Sequence, residues 1–260
     1  MNLIAQIHWG ISPEIFSFSF LTLRWYGLLF AAGFVVGYRI MEWIFKKEGY
    51  DHKFLDNLTM TMVLSTVIGA RLGHCLFYSP EYYLSNPIEI LKVWEGGLAS
   101  HGAAFGIILG LFIFVKRFSQ FSFIWILDRI VITIALAGMF IRLGNLMNSE
   151  ILGIPSDMPW AFVFENIDNI PRHPAQLYES IAYLFIFIFL FFKYKAKKAE
   201  IKSGLLFGSF LIGVFGARFI LEYFKENQVA FEETMLLNMG QILSIPFVLI
   251  GLYFVFIYKK

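Results

Sequence analysis

Within nine positions of the string IRLGNLMNSEILG (141–153), an almost wholly apolar run gives way to Arg142, Asn145, Asn148 and Glu150. A guanidinium presents a planar fork of donors that matches two phosphate oxygens at once. Amides and a carboxylate one to two turns further on add hydrogen-bonding groups and a proton acceptor. A second arginine, Arg218 in GARFILEYF, has Glu222 four residues on, a spacing that puts both on one helix face and permits an intrahelical salt bridge. Arg142 shares its face with Asn145 and has no acid at that spacing, so the expectation is an arginine without full local neutralisation. His101, in EGGLASHGAAFG, is the best-placed general base on sequence grounds. Tyr26 in LRWYG adds a phenol. Gly102 and Gly153, with Gly96, Gly97, Gly106 and Gly144, allow a backbone to come close to a ligand or to another helix. The chemistry this equipment suits is the binding of a phosphate group and the movement of one proton.

Other chemistries are poorly supplied. Neither an HExxH string nor paired cysteines suggest a metal, and the five histidines are dispersed. GxSxG and a phosphate-binding GKS/T loop are both missing. Ser100 and His101 are adjacent, so on a helix they point about 100° apart and do not form a dyad. The single cysteine, Cys75, reads as a small apolar filler. A net charge of +2 implies no polyanionic partner and no nucleic acid.

These polar groups must be positioned by a chain of 260 residues that is 58% apolar and 15% charged, with 31 Phe. A water-soluble domain has about a quarter charged residues. Runs near 21–40, 58–78, 98–115, 123–143, 175–192, 204–224 and 237–257 approach the roughly 20 apolar residues a helix needs to cross a bilayer. Without water the backbone must satisfy itself, which selects helices. The expectation is an all-α integral membrane protein of seven spans in one polytopic domain, 1–260, with the connection 144–174 able to carry a small element outside the membrane. The first twenty residues read as an interfacial arm with Trp9 at headgroup level. Lys and Arg accumulate in cytoplasmic loops. With the amino terminus outside and the carboxyl terminus cytoplasmic, inner segments hold twelve of them and outer segments three. Six arginines remain within spans. An ionisable group at that depth costs about 2.5–3.5 kcal/mol and needs a partner or a task. In this topology Arg24, Arg71, Arg142 and Arg218 all fall on the outer side, together with Tyr26, His74, His101, Asn145, Glu150 and Glu222.

The sequence resembles the bacterial prolipoprotein diacylglyceryl transferases nearly end to end. The resemblance is carried by RWYG (24–27), GARLGHCLFY (69–78), W-E-GG-L-x-x-HG (94–102), RLGNLMNSEILG (142–153), RHPAQLYE (172–179), RFILEYF (218–224) and MGQILSIP (239–246). What it implies is a seven-helix protein of the bacterial inner membrane. Such a protein moves the diacylglyceryl group of phosphatidylglycerol onto the lipobox cysteine of a preprolipoprotein, makes a thioether, and releases glycerol phosphate as the first step of lipoprotein maturation. The implied partners are phosphatidylglycerol, the preprolipoprotein signal peptide and membrane lipid, with no cofactor. Carried over by motif, Tyr26, His101, Arg142, Asn145, Glu150, Gly153, Arg218 and Glu222 stand at functional positions. We take His101, Arg142 and Arg218 as catalytic, and Tyr26, Gly102, Asn145, Glu150, Gly153 and Glu222 as substrate-binding. Ile141, Ala103 and Leu146 depart from the commoner pattern without removing a chemical group. Lys225, where the family often has Arg, would meet a phosphate only as a point charge.

Alternatives to these assignments remain at this stage. His101 and Gly102 have a packing role open to them, with Glu150 or a phosphate oxygen then taking the proton. In RHPAQLYE the residues Gln176, Tyr178 and Glu179 fit a bracing role better than a catalytic one. At the level of function the other readings are an anionic-solute transporter, whose inner half should also be polar, and a non-catalytic lipid-binding membrane protein.

Overall fold

The computed structural model describes residues 6–18, 21–93, 96–227, 232 and 235–258. Trp94 and Glu95 of the W-E-GG string, and the basic pair Lys259 and Lys260, lie outside the described residues. The chain is mainly helical. Its long helices are α1 (Trp25–Lys47), α2 (His52–Phe77), α4 (Ser100–Arg117), α5 (Phe123–Met147), α6 (Ala175–Lys197), α7 (Leu205–Leu221) and α8 (Met239–Leu252), with a short α3 (Pro80–Ser85) between α2 and α4. Their contacts divide the chain into two compact units, Met1–Met41 with Leu127–Lys260, and Glu42–Ile126.

Among the described residues, six helices are long and apolar enough to cross a membrane: α1, α2, α5, α6, α7 with its extension to Phe224, and α8 with its extension to Ile257. Their outward faces suit lipid, since Phe185 (66% exposed) and Leu249 (60%) would be badly placed in water. The seventh expected span, 98–115, folds as α4 but is not among the six.

Helix ends follow local chemistry. Asp51 caps α2 by accepting from the Lys53 amide at 2.9 Å. Asn238 and Gln241 form a capping box at the start of α8. The start of α7 is capped from another helix: Asp128 of α5, fully buried, accepts from the amides of Gly204 (2.7 Å) and Phe207 (2.8 Å). Its neighbour Arg129 is also buried, with its guanidinium over the Tyr194 ring.

In the second unit α2 and α4 meet along glycines. A methyl group on Gly73 would lie 2.6 Å from the Gly102 Cα, and one on Gly106 would lie 2.9 Å from the Gly69 Cα. Only hydrogen fits in such a seam.

Among the described residues, two small sheets complete the first unit. Strand β1 (Ile7–Trp9) pairs in parallel with β4 (Phe162–Phe164), which pairs antiparallel with β5 (Pro171–Arg172). Thus the connection 144–174 does carry an extra element, and the chain's beginning is part of it. Trp9, expected at headgroup level, is half-buried against the protein. Its indole donates to the Leu146 carbonyl at 3.1 Å and packs with Phe162, Phe164, Leu146 and Leu152 in a small apolar core. The other sheet is a hairpin of β2 (Glu14–Phe18) and β3 (Leu21–Arg24). Residues 21–24, expected at the start of the first span, are therefore strand, and α1 begins at Trp25.

Candidate active site

The polar residues of the first unit gather where α5 and α7 end and where α1, α6 and α8 begin. Arg142, in the last turns of α5, forms an ion pair through Nε with Glu179 Oε2 at 2.9 Å and donates through Nη1 to Asn145 Oδ1 at 3.2 Å. Glu179 lies in the first turns of α6 and is fully buried. The expectation of an arginine lacking an acid is therefore corrected, because the acid comes from another helix. The second oxygen of Glu179 pairs with Lys225 Nζ at 2.8 Å. Lys225, also buried, pairs with Glu222 Oε2 at 3.0 Å, and the same oxygen lies 3.9 Å from Arg218 Nε. The result is a chain of alternating charge, Arg142, Glu179, Lys225, Glu222 and Arg218.

Each carboxylate in this chain has a cation on both sides. Stranding one of these buried charges would cost about 3–5 kcal/mol. The two terminal arginines differ in availability: the Arg142 side chain is 16% exposed and held on two edges, whereas Arg218 is 37% exposed and only loosely paired. Glu222 sits against α8, where a methyl group on Gly240 would come within 2.5 Å of its carboxyl carbon.

Outward from Arg142 the signature loop is tightly tied. Asn145 and Asn148 each donate to one oxygen of Glu150 at 3.0 Å, and Gln176 of α6 donates to the Glu150 carbonyl. Ser149 (φ 53°) and Ile151 (φ 57°), on either side of Glu150, are in the left-handed region that L residues avoid at about 1–2 kcal/mol each. Such strain persists only where the surroundings over-determine it. Gly153 pairs with Lys225 in an isolated bridge and packs on the His173 and Phe224 backbones, with no room for a side chain. Tyr26, in the first turn of α1, lays its ring on Gly144, and its nearest charges are Glu150 and Arg142.

Arg172 ties the outer part of the connection together by pairing with Asp168 at 2.7 Å and with Glu226. This guanidinium holds the Asp168 carboxyl below the usual carboxylate range. Next to it, His173 is pushed below its ordinary pKa by burial and shares a 3.0 Å hydrogen bond with the Tyr178 hydroxyl.

Tyr26, Arg142, Asn145, Glu150, Gly153, Arg218 and Glu222 thus lie in one unit, linked by the contacts above. His101 and Gly102 belong to the other unit. His101 is exposed in the first turn of α4, and Gly102 is half-buried and packs closely on the backbone of α2 at Gly69 and Gly73. Arg71 is occupied there as well: it donates to the carbonyls of Glu89 (2.5 Å), Ile90 (3.0 Å) and Gly96 (2.6 Å), and stacks over Tyr83. It clamps the loop before α4 and has few donors left for a phosphate. Arg24 makes an exposed 3.5 Å pair with Glu14 across the hairpin. Sequence reasoning missed Tyr183, which lies against the Arg142 guanidinium one turn beyond Glu179. The signal was the spacing of Gln176, Glu179, Ser180 and Tyr183, a polar stripe at helical period in an apolar helix.

Residues 13–257 match the family model described as prolipoprotein diacylglyceryl transferase. Three relatives share that activity in their names, each called phosphatidylglycerol–prolipoprotein diacylglyceryl transferase. The protein of Tolumonas auensis is 48% identical over 98% of this chain and 98% of its own length. That of Chloroherpeton thalassium is 47% identical over 98% and 96%. That of Bacteroides fragilis is 43% identical over 100% and 98%.

Proposed function

The chain belongs to the prolipoprotein diacylglyceryl transferase family, and from this we propose that it transfers the diacylglyceryl group of phosphatidylglycerol to a prolipoprotein thiol. The acceptor is the lipobox cysteine of a preprolipoprotein signal peptide. The cysteine sulfur attacks the glycerol carbon that carries the phosphate. A C–S bond forms, the C–O bond breaks, and its electron pair leaves on the oxygen of glycerol phosphate.

The observation that carries this reading is the alternating ion chain with Arg142 and Arg218 at its ends. An alkyl phosphate leaves slowly unless its growing charge is stabilised, and prearranged guanidinium groups stabilise the transition state more than the ground state. Arg218, the more exposed, meets the incoming phosphodiester, and Arg142, the more fixed, takes the charge that develops on the leaving oxygen. Positive charge nearby also lowers the pKa of the incoming thiol. On sequence grounds His101 is the group proposed to take the thiol proton. Glu150, fixed by Asn145 and Asn148, and Tyr26 hydrogen-bond the glycerol headgroup, while Gly102 and Gly153, expected to bind substrate, serve backbone packing, Gly102 of α4 on α2 and Gly153 of the signature loop on His173 and Phe224.

The protein sits in the bacterial inner membrane, with α4 as a seventh crossing and the site toward the outer leaflet. Twelve basic residues on one set of loops against three on the other support this orientation.

Single-turnover transfer from acyl-labelled phosphatidylglycerol to a lipobox peptide tests the reading. Arg142→Ala and Arg218→Ala should each lower the rate at least about 100-fold, the size expected for loss of a transition-state donor. His101→Gln should flatten the acid limb of the pH profile. A wild-type protein that binds the lipid and forms no thioether would leave only lipid binding.

A further inference from the structure

Helix α6 presents one buried polar stripe, Gln176, Glu179, Ser180 and Tyr183, on a helix whose opposite side is apolar and exposed at Phe185, Phe189 and Phe192. Each member reaches a different part of the site: Gln176 the Glu150 carbonyl, Ser180 the Met139 carbonyl at 3.2 Å, and Tyr183 the Arg142 guanidinium. Glu179 makes the decisive contact. With no exposed surface, it gives one oxygen to Arg142 (2.9 Å) and the other to Lys225 (2.8 Å). It engages Arg142 at Nε, not at the fork of the two terminal nitrogens. With the hydrogen bond from Nη1 to Asn145, this ion pair holds the guanidinium at two edges.

We propose that Glu179 is a positioning residue for transfer, orienting Arg142 toward the leaving phosphate oxygen through Nε while tying it to Arg218 by way of Lys225 and Glu222. The proposal rests on the function given above. It goes beyond the simpler role of a counter-charge for Lys225, which would not require contact with Arg142 at Nε. Loss of orientation costs rate in the bound complex and leaves ground-state binding nearly intact.

The test measures kcat and KM for phosphatidylglycerol, with thermal stability in detergent, for wild type, Glu179→Gln, Glu179→Asp, Lys225→Met and the double variant Glu179→Gln/Lys225→Met. Wild type must form thioether; if it does not, the functional reading fails and not this inference alone. Glu179→Gln should lose about 100-fold in kcat, with KM within threefold. The double variant removes the stranded lysine, so it should regain stability but not kcat. Glu179→Asp keeps the charge and shortens the reach by one methylene; it should fold and lose about tenfold in kcat. A double variant as active as Lys225→Met overturns the proposal in favour of charge compensation. So does a folded Glu179→Gln or Glu179→Asp with wild-type kcat.

Discussion

Ser149 is buried, sits at φ 53° and has no hydrogen-bond partner for its hydroxyl among the described residues. Glycine removes both penalties, because it adopts the left-handed region freely and carries no hydroxyl. Ser149→Gly should stabilise the protein by about 1 kcal/mol, which raises the melting temperature by about 2–4 °C for a chain of this size; an unchanged or lower value argues against strain at this position. Asp168 and His173 make the outer connection sensitive to acid, in two steps. The Asp168 carboxyl is held low by Arg172, so its stabilisation is complete above the unfolded pKa near 3.9 and disappears as pH falls through the lower folded value. His173 is also depressed, by burial, so the fold favours its neutral form; stability is complete above the unfolded pKa near 6.5 and declines as pH drops below it. Amide exchange across residues 153–173, corrected for its intrinsic pH dependence, should show opening that begins below about pH 6.5 and steepens below about pH 4. Asp168→Asn should abolish the lower step alone. At this scale the sequence was legible where a motif named the residue, as for Arg142, Arg218 and Glu150. It was not legible where a partner lies on another helix: Glu179 is 37 positions from Arg142, and no local spacing rule reaches that far.

The helices of the sequence reading were shorter than the folded ones at charged ends. Helix α1 runs to Lys47, past the expected limit at 40, and α6 runs to Lys197, past 192. Apolar composition marks what lies in hydrocarbon, whereas a helix continues into the headgroup region, where basic residues in the last turn favour its dipole. Residues 21–24 misled in the other direction, because Leu21 and Leu23 extend an apolar run whose true partner is β2. The glycines were legible as close-approach points without their partners being legible. Gly102→Ala would place a methyl group 2.7 Å from the Gly73 Cα, a backbone atom that cannot turn aside. The expected outcome is a loss of about 1–3 kcal/mol, as for other overpacked sites, read as a lower unfolding midpoint with KM for phosphatidylglycerol little changed. A shifted KM with an unchanged midpoint would assign Gly102 to lipid contact instead.

For the molecule as a whole, six long apolar helices, the apolar outer faces and the family membership agree on a multi-pass membrane transferase. The orientation proposed above is open to a direct check in a Cys75→Ala background with one new cysteine at a time. Asp157→Cys, exposed in the outer connection, should react with a membrane-impermeant maleimide on intact spheroplasts, and Ala196→Cys, exposed near the end of α6, only after lysis. The reverse pattern inverts the topology. The small sheet was the part of the fold least visible beforehand, since β1 has three residues and its partner comes late in the chain. His8 and Glu165, which meet beside that sheet at 3.0 Å, are 157 positions apart. At ribosomal speeds of about 5–20 residues per second, the first strand waits roughly 8–30 s for the second to be made. Five helices are synthesised in that interval, and Trp9 remains without the aromatic rings it will pack against. Closure of this sheet is therefore a late event in biosynthesis, and the loop around Glu150 acquires its final support later still, once Gln176 and Lys225 have been made.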